Sequence, residues 1–251
     1  MIDFALLAAA GLLAGYVNAL AGAGSLLTLP ALIFTGLDAP SANATNRIAV
    51  LIQTFAATVT FHRSGFRPGR TGWLLCLPTV PAAALGAWVA SRMSDRDLRL
   101  LIAGAMVTFL ALSFVRRSRG ESQRTHPPTL TPALALAFAG IGFYAGLLQA
   151  GVGILILLTL SLGARADLLW SNGVKILVVC VLTVAALGVF ALSPVRIDIP
   201  RGLVLAMGSV VGSVLGAKHA IKRGEGLIRA AMILAVVASV VKLAWDAFQA
   251  S

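Results

Sequence analysis

The sequence predicts an all-α integral membrane protein with about eight transmembrane helices in two sequence-related halves, each containing a Gly-broken or re-entrant segment. Three observations predict this fold. Hydrophobic residues make up 59% of the 251 positions and charged residues 12%, with a mean hydropathy of +0.93, whereas soluble domains are about half apolar and a quarter charged. Apolar runs of helix length recur along the chain, and similar short segments recur in the same order in both halves.

Each predicted helix rests on an apolar run that approaches the length needed to cross a bilayer. A hydrocarbon core about 30 Å thick needs about 20 helical residues, and the runs are 4–21, 46–61, 72–91, 97–115, 132–150, 173–192, 201–221 and 226–248. They show no strand-like alternation, which favours a helical bundle over a barrel. The first run lacks the basic flank of a signal peptide, so we interpret it as the first helix of the mature protein.

Polar residues divide the chain into two membrane repeats, residues 1–115 and 132–251. The stretch between them, 116–131, is basic and rich in proline, which is typical of a linker outside the membrane. Its arginines suggest that the linker is cytoplasmic, because cytoplasmic loops carry an excess of Lys and Arg. The sequence leaves open whether the repeats run parallel or inverted.

Short segments align between the two repeats. "AGAGSLLTLP" at 21–30 aligns with "AGVGILILLT" at 150–159, 129 positions on, and "TNRIAVL" at 45–51 aligns with "SNGVKIL" at 171–177, 126 positions on. "GAWVASRMSDRDLRLLIAGAM" at 86–106 aligns with "GAKHAIKRGEGLIRAAMILAV" at 216–236. This alignment pairs Asn46 with Asn172, and we expect the two side chains to face one shared cavity.

Glycines interrupt both repeats at the start of the aligned segments. The piece after the second break, "ILILLTLSL", has 9 residues and measures about 14 Å as a helix, half of a bilayer. Paired Gly-broken segments indicate a transporter binding site, because irregular backbone at membrane depth occurs where it lines a cavity. The alternative is that these glycines only allow helices to pack closely.

The polar residues near the two breaks suit an anion, because they supply amides, hydroxyls and cations without a carboxylate. They are Asn18, Ser25, Thr28, Thr45, Asn46, Arg47, Gln53, Gln149, Ser171, Asn172 and Lys175. Thr45–Asn46 and Ser171–Asn172 are predicted to begin helices, and helix N-termini bind oxyanions through free backbone N–H groups. Ordinary caps at the membrane surface are the alternative interpretation.

Arg47 and Lys175 carry the positive charge of this predicted site. A cation inside a bilayer costs about 2.5 to 3.5 kcal/mol on insertion scales, and neither residue has a carboxylate within four positions. A bound anion would supply the counter-charge, so replacing either residue by Gln is expected to weaken binding without destabilising the free protein. Alternatively, both side chains snorkel to the membrane surface.

The composition and motifs exclude several functional classes. All acidic residues lie at the ends of runs or in connections, so no carboxylate relay for protons or sodium is predicted. No cofactor, metal or nucleic-acid partner is expected, since the basic residues also lie at segment ends and Cys76 and Cys180 lack metal-site spacing. A nucleotide-driven pump is excluded for the single chain, because no GxxxxGK[ST] motif occurs. The predicted partners are a small anion and the lipid bilayer, and a homo-oligomer is left open.

Three stretches together resemble the TauE/SafE family of sulfite and organosulfonate exporters. They are "NALAGAGSLLTLPALIFTGLDAPSANATNRIAVLIQ" at 18–53, "GFYAGLLQAGVGILILL" at 142–158 and "SNGVKILVV" at 171–179. The resemblance implies a multi-pass transporter of the cell (inner) membrane for small anions such as sulfite, sulfoacetate or related sulfonates. The residues it implies for the site are Asn18, Gly22, Gly24, Ser25, Pro30, Thr45, Asn46, Arg47, Gln149, Gly151, Gly153, Asn172 and Lys175. The sequence departs from the family pattern at Ala23, Ile154 and Thr159.

Two other functions are retained as alternatives. A structural or assembly protein of the membrane would show no anion-dependent thermal shift. An intramembrane hydrolase could use Ser25, which follows a glycine, but a nucleophile needs a base within hydrogen-bond reach, and the three histidines lie at helix ends or in the linker. The sequence therefore predicts a transporter and not an enzyme.

Overall fold

The computed structural model describes residues 2–21, 24–113 and 128–220, and in these ranges the chain folds into helices and their connections. In chain order the helices are α1 (Ile2–Ala21), α2 (Ser25–Phe34), α3 (Ala39–Arg63), α4 (Gly69–Leu74), α5 (Cys76–Ala90), α6 (Asp95–Ser113), α7 (Pro132–Leu147), α8 (Val152–Leu158), α9 (Leu168–Ala191) and α10 (Ile199–Ala220). A π-helical turn, Thr159–Gly163, continues α8.

Most predicted spans coincide with a helix, but the count of eight stays a prediction. Two stretches of the described residues are long and apolar enough to cross a membrane, Gly69–Ala90 and Leu169–Ala191. Shorter apolar stretches of 10–17 residues lie in α1, α2, α7 and α10, and in α8 together with the start of its π-helical turn. The predicted span 226–248 and most of the linker lie outside the described residues.

α2 and α8 are short helices that follow the two glycine breaks. They contain 10 and 7 residues, about 15 and 10 Å at 1.5 Å per residue, so neither could cross a bilayer alone. α2 packs against α1, and a Cβ on Gly24 would meet the Ala14 carbonyl oxygen and lie 2.8 Å from Asn18 Cβ. The chain therefore reverses between α1 and α2, and close packing explains the glycine at 24. Pro30 lies buried inside α2 rather than at the break.

Aspartates begin the two long helices that follow the breaks. The Asp38 carboxylate precedes α3 and accepts a hydrogen bond from the Ser41 N–H at 3.3 Å. Asp167 precedes α9 and accepts from the Trp170 N–H at 2.9 Å. A carboxylate at this position satisfies one of the N–H groups that the first helical turn leaves without a partner.

The prediction that Thr45–Asn46 and Ser171–Asn172 begin helices is therefore wrong. Thr45–Asn46 lies nearly two turns inside α3, and Ser171–Asn172 lies one turn inside α9. The Ser171 N–H bonds to the Asp167 carbonyl within the helix at 2.8 Å. Because backbone N–H groups at these depths are used by the helix itself, they are not available to an anion.

The helices pair across the chain in two parallel pairs. A Cβ on Gly208 of α10 would meet the Ala8 carbonyl oxygen of α1, and a Cβ on Gly212 would meet that of Leu12. The contact advances four residues along both helices, so α1 and α10 run parallel. α5 and α7 also run parallel, because Gly142 and Gly146 of α7 approach the carbonyl oxygens of Thr79 and Ala83 of α5 in the same way.

Polar contacts define two ends of the helical bundle. At the Asp95 end, the α2–α3, α5–α6 and α9–α10 connections meet: the Ala39 N–H donates to Asp95 at 2.6 Å, and Arg201 donates to the Thr35 carbonyl at 3.2 Å. At the Pro68 end, the α3–α4 connection meets the start of α9, where the Trp170 indole donates to the Pro68 carbonyl at 3.3 Å. Helix α3 therefore runs from the Asp95 end to the Pro68 end, and α9 runs in the opposite direction.

Candidate functional site

The first turns of α3 are buried on all sides although they carry polar side chains. Asn43, Thr45, Asn46 and Arg47 are each 0% exposed. Burial of an amide or a guanidinium is costly unless hydrogen bonds replace those lost from water. The partners of these side chains therefore decide what this part of the molecule can bind.

Arg47 is bound by the end of α7. Its Nη1 donates to the Ala145 carbonyl at 3.2 Å and to Gln149 Oε1 at 2.8 Å, and its Nη2 donates to the Gly146 carbonyl. The guanidinium also lies over the Phe190 ring, 5.0 Å from its centroid. The carbonyls at a helix C-terminus carry a partial negative charge. Arg47 is thus held in place by neutral oxygens and a helix dipole, and its snorkelling to a surface is ruled out.

Gln149 links Arg47 to α9. Its Oε1 accepts from Arg47, its Nε2 donates to Thr183 Oγ1 at 2.6 Å, and that hydroxyl donates to the Val179 carbonyl at 2.6 Å. Since an arginine can only donate, the orientation of the Gln149 amide is fixed. Gln149 has a φ of 59°, which is uncommon for a residue other than glycine. The α7–α8 break therefore carries a side chain that joins α3 to α9.

Several buried polar atoms next to Arg47 have no hydrogen-bond partner. They are Asn43 Oδ1, both side-chain atoms of Asn46, and Arg47 Nε. The Asn43 amide nitrogen donates to the Leu147 carbonyl at 2.7 Å, so its oxygen points elsewhere. We call Asn43, Asn46 and Arg47 the α3 polar cluster. Each unmet group costs about 1 to 3 kcal/mol, which a suitable ligand would recover.

Asn46 shares one face of α3 with three alanines of a hydrophobic core. Residues three or four positions apart share one face of a helix, which places Asn46 with Ala39, Ala42 and Ala49. That core also contains residues of α1, α2, α6 and α10 and the residues Leu148 and Ala150 of the α7–α8 break. The unpartnered amide therefore lies on a face of α3 that packs against apolar side chains.

Three second-half candidates are less buried than the α3 polar cluster: Asn172, Lys175 and Gly153 are half-buried. Gln149 links Arg47 to Thr183, and Asn172 precedes Thr183 by 11 positions, about 16 Å along a helix. That Asn46 and Asn172 face one shared cavity stays a prediction.

The remaining first-half candidates lie around the first break. Asn18 is half-buried on α1, Ser25 is half-buried at the start of α2, and the Ser25 carbonyl accepts from the Thr28 hydroxyl at 3.3 Å. Thr45 accepts a hydrogen bond from the Asp198 N–H at 3.0 Å, which ties α3 to the α9–α10 connection. Gly22 lies outside the described residues.

Gly151 begins α8 in a left-handed conformation. Its φ is 70°, and a Cβ there would lie 2.6 Å from the Phe109 ring of α6. A side chain at this position would be strained both by its own backbone and by the ring. The second break is therefore built around a glycine that packs against an aromatic ring.

Asn43 and Thr183 were missed by sequence reasoning. Asn43 precedes Asn46 by three positions and Arg47 by four, a spacing that places all three on neighbouring positions of a helix surface. The signal was obscured because the 126-position alignment paired Asn172 with Asn46. An alignment started from the capping Asp38 and Asp167, 129 positions apart, pairs Asn172 with Asn43.

The described residues offer donors and acceptors for a small polar ligand and no metal site. Among them, no group of three or more His, Cys, Asp or Glu side chains could hold a metal ion. His62 lies exposed at the Pro68 end, with a ring nitrogen 3.3 Å from Arg67. It is therefore at the end of α3 opposite to the buried cluster.

Comparison with known proteins identifies relatives over almost the whole chain. A 23% identical protein of Sinorhizobium sp, "Probable membrane transporter protein ORF9", covers 96% of this chain and 92% of its own length. A "Probable membrane transporter protein" of Haemophilus influenzae is 26% identical, and the match covers 96% of this chain and 94% of the relative. "Probable membrane transporter protein YfcA" of Escherichia coli K12 is 25% identical, and the match covers 94% of this chain and 87% of the relative. No solved structure matches the chain significantly.

The names of these relatives refer to transport across membranes rather than to a catalysed reaction. The family model "Sulfite exporter TauE/SafE" matches residues 7–243, so it includes both glycine breaks, the α3 polar cluster and α9. The chain is a membrane protein that belongs to the TauE/SafE sulfite exporter family of transporters.

Proposed function

We propose that this protein is a multi-pass transporter of the cell (inner) membrane that exports small sulfur-containing anions, such as sulfite or an organosulfonate. The observation that carries the proposal is the α3 polar cluster. A fully buried arginine and an asparagine with two unpartnered polar atoms lie beside a chain break in a membrane protein. Polar residues inside membrane proteins generally mark a substrate pathway.

We assign different roles to the predicted site residues. Asn46 and the Nε of Arg47 contact the anion directly, because their atoms are buried without a partner. Gln149 holds Arg47, and Gly24 and Gly151 shape the two chain breaks. The residues farther from the cluster would contact the anion at other points along its route; they are Asn18, Gly22, Ser25, Thr45, Gly153, Asn172 and Lys175.

The two repeats are inverted in this proposal. A constant shift of 129 positions relates Asp38 to Asp167, Asn43 to Asn172, Thr54 to Thr183 and Phe61 to Phe190. This shift makes α1 the counterpart of α7 and α3 the counterpart of α9, and α5 has its counterpart in α10. The parallel pairs α1 with α10 and α5 with α7, and the opposite directions of α3 and α9, support an inverted relation. Inverted repeats are a common basis for alternating access.

The Pro68 end faces the cytoplasm in the proposed orientation. α6 begins at the Asp95 end and therefore ends at the Pro68 end, and the linker follows α6 in the sequence. The described Pro68 end carries Arg63, Arg67, Arg70 and Arg165, and the linker sequence adds Arg116, Arg117, Arg119 and Arg124. The Asp95 end carries Arg92, Arg96, Arg99, Arg196 and Arg201. An excess of arginine marks the cytoplasmic side.

The alternatives predict different behaviour. A structural or assembly protein would gain nothing from a buried, unpartnered amide, since a leucine of similar size would be more stable there. A hydrolase that used Ser25 would need a base within hydrogen-bond reach of that residue, and the α3 polar cluster contains none. The buried cluster therefore favours transport over both.

Flux through proteoliposomes tests the proposed function. Purified full-length protein would be reconstituted with radiolabelled sulfite, sulfoacetate or 2-hydroxyethanesulfonate inside, and efflux would be compared with that from protein-free vesicles. We expect protein-dependent efflux of at least one of these anions, with unlabelled anion on the opposite side increasing exchange. Efflux equal to that of protein-free vesicles for every anion tested would refute the proposal.

A further inference from the structure

We propose that the α3 polar cluster selects a monoanion that itself carries a hydrogen-bond donor, such as hydrogensulfite or a hydroxylated sulfonate, over a dianion. This inference rests on the proposed function, because it names the class of anion that the same site would accept. It follows from three properties of the cluster: its compactness, the chemical type of its unpartnered atoms, and its net charge.

The cluster is compact enough to surround one small ligand. Asn43 lies three positions before Asn46 and four positions before Arg47 on α3, spacings at which Cβ atoms lie about 5–6 Å apart. All three side chains are 0% exposed. Because Asn43 neighbours both of the other residues, we place their unpartnered atoms in one buried region.

The unpartnered atoms include acceptors as well as donors. The Asn43 nitrogen is used by the Leu147 carbonyl, which leaves Asn43 with an unpartnered oxygen, and Asn46 has both an unpartnered nitrogen and an unpartnered oxygen. Arg47 Nε adds a further donor. A fully deprotonated oxyanion can accept from the two nitrogens, but it can only repel the two amide oxygens. A ligand with its own O–H or N–H group satisfies both kinds of atom.

The charge of the cluster matches one negative charge. Arg47 contributes one positive charge, and its named partners are neutral oxygens of Ala145, Gly146 and Gln149. The C-terminal carbonyls of α7 offset part of this charge, by about half an elementary charge for a helix end. A dianion would bring more negative charge than this region can balance, and unbalanced charge is costly in a dry interior.

Three probes separate the effect of charge from that of the donor. Hydrogen methylphosphonate is a monoanion with one O–H group, methanesulfonate is a monoanion of the same shape without a donor, and methylphosphonate is the corresponding dianion. Binding to the detergent-solubilised full chain would be measured by calorimetry, with the phosphonate at acidic and at alkaline pH. Methanesulfonate keeps its charge over this range, so it reports any change in the protein itself.

We expect hydrogen methylphosphonate to bind about tenfold more tightly than methanesulfonate, a difference of about 1.4 kcal/mol, and the dianion to bind most weakly. Equal affinities for the two monoanions would overturn the inference and leave the proposed function standing, since anions would still bind. The absence of binding by every probe would contradict both.

Variants of Asn46 test whether the cluster is responsible. In Asn46→Leu the preference for hydrogen methylphosphonate should disappear, and in Thr54→Val it should remain, because the Thr54 hydroxyl is already bonded to the Val50 carbonyl of its own helix at 2.7 Å. Asn46→Ala provides a smaller replacement should leucine not fit. Unchanged binding in the Asn46 variants would show that the cluster holds only a buried water, and would overturn the inference.

Discussion

Neutral oxygens hold the positive charge of Arg47 inside the protein. The sequence suggested an unpaired cation whose replacement by Gln would not destabilise the free protein. The structure shows hydrogen bonds from Arg47 to the last carbonyls of α7 and to Gln149. The same substitution now removes donors from a buried helix end, so the expected effect on stability changes sign.

We therefore predict that Arg47→Gln weakens anion binding and lowers the melting temperature. Hydrogen bonds to a charged group are worth about 1.5 to 3 kcal/mol each, so a loss of about 2 kcal/mol or more in stability is expected, with a five- to thirtyfold loss in affinity from about 1 to 2 kcal/mol. Thermal unfolding in detergent and calorimetry measure the two effects. Arg63→Gln, at the exposed end of the same helix, serves as control, and an unchanged melting temperature for Arg47→Gln would contradict the assigned contacts.

The polar identity of the site could be predicted from the sequence, but its geometry could not. Asn46, Arg47 and Gln149 were recognised because polar residues are rare in this chain. Asn43 was missed because the 126-position alignment pairs Asn172 with Asn46, whereas a shift of 129 positions pairs Asn172 with Asn43. The two carbonyl partners of Arg47 could not be predicted, because they lie nearly 100 positions away in the chain. Every residue has a backbone carbonyl, so the sequence does not indicate which ones accept a hydrogen bond.

The backbone conformation at the α7–α8 break depends on the space around Gly151. Gly36 and Gly151 both have positive φ, 89° and 70°, but a Cβ on Gly36 would meet nothing within 4 Å, whereas one on Gly151 would press on the Phe109 ring. We predict that Gly36→Ala costs about 1 kcal/mol, the price of a left-handed conformation, and that Gly151→Ala costs more. Thermal unfolding of the two variants measures the difference. Equal costs would show that the ring moves away freely.

The contribution of Asp198, at the start of α10, to the stability of the fold should be lost in acid. Burial raises the pKa of the Asp198 carboxyl, but hydrogen bonds from the Arg201 backbone and side chain and the charges of Arg201 and Arg196 outweigh burial, so this pKa lies below its ordinary value of 3.8. A lowered pKa stabilises the fold above the unfolded value, and the contribution is lost as the pH falls through the folded value. We predict that Asp198→Asn lowers the melting temperature at neutral pH.

The difference between Asp198→Asn and the original protein should shrink as the pH falls below 3.8, because protonation then removes the same charge in both. Melting temperatures measured across this range test the sign of the effect. A constant difference down to the lowest pH would show that the ionised carboxylate contributes nothing.

The sequence could predict which helices are short but not where the long ones begin. The lengths of α2 and α8 follow from glycines and the apolar runs beside them. Asp38 and Asp167 were overlooked as caps because the apolar runs begin several residues later, and the intervening residues of α3 are polar yet buried. Hydropathy reports contact with lipid, and the polar turns of α3 are surrounded by protein instead.

At the scale of the whole molecule, the pairing of helices between the halves could not be predicted from the sequence. The sequence predicts two repeats, yet parallel and inverted arrangements place the same residues in the same order. The pairing of α1 with α10 is decided by small residues on both helices that allow the backbones to approach closely. Such contacts join positions about 200 residues apart.

We predict that the Pro68 end is cytoplasmic and the Asp95 end is extracytoplasmic. In a background with Cys76 and Cys180 replaced by alanine, Arg196→Cys should react with a membrane-impermeant maleimide in intact cells. Arg67→Cys should react only after the membrane is permeabilised, and both side chains are exposed. The reverse pattern would invert the proposed orientation, and labelling of both residues in intact cells would contradict the assignment of these positions to opposite ends.

The central claim is that the α3 polar cluster is where the transported anion binds, and anomalous diffraction from crystals soaked in selenite tests it most directly. At neutral pH hydrogen selenite is a donor-bearing monoanion, and selenium locates it without ambiguity. We predict an anomalous peak within about 4 Å of Asn46 Nδ2 and Arg47 Nε, the distance at which an oxygen of the anion can accept their hydrogen bonds, and no such peak in crystals of Asn46→Leu. A peak found only beside Asn172 and Lys175, or one that persists in Asn46→Leu, would contradict the account.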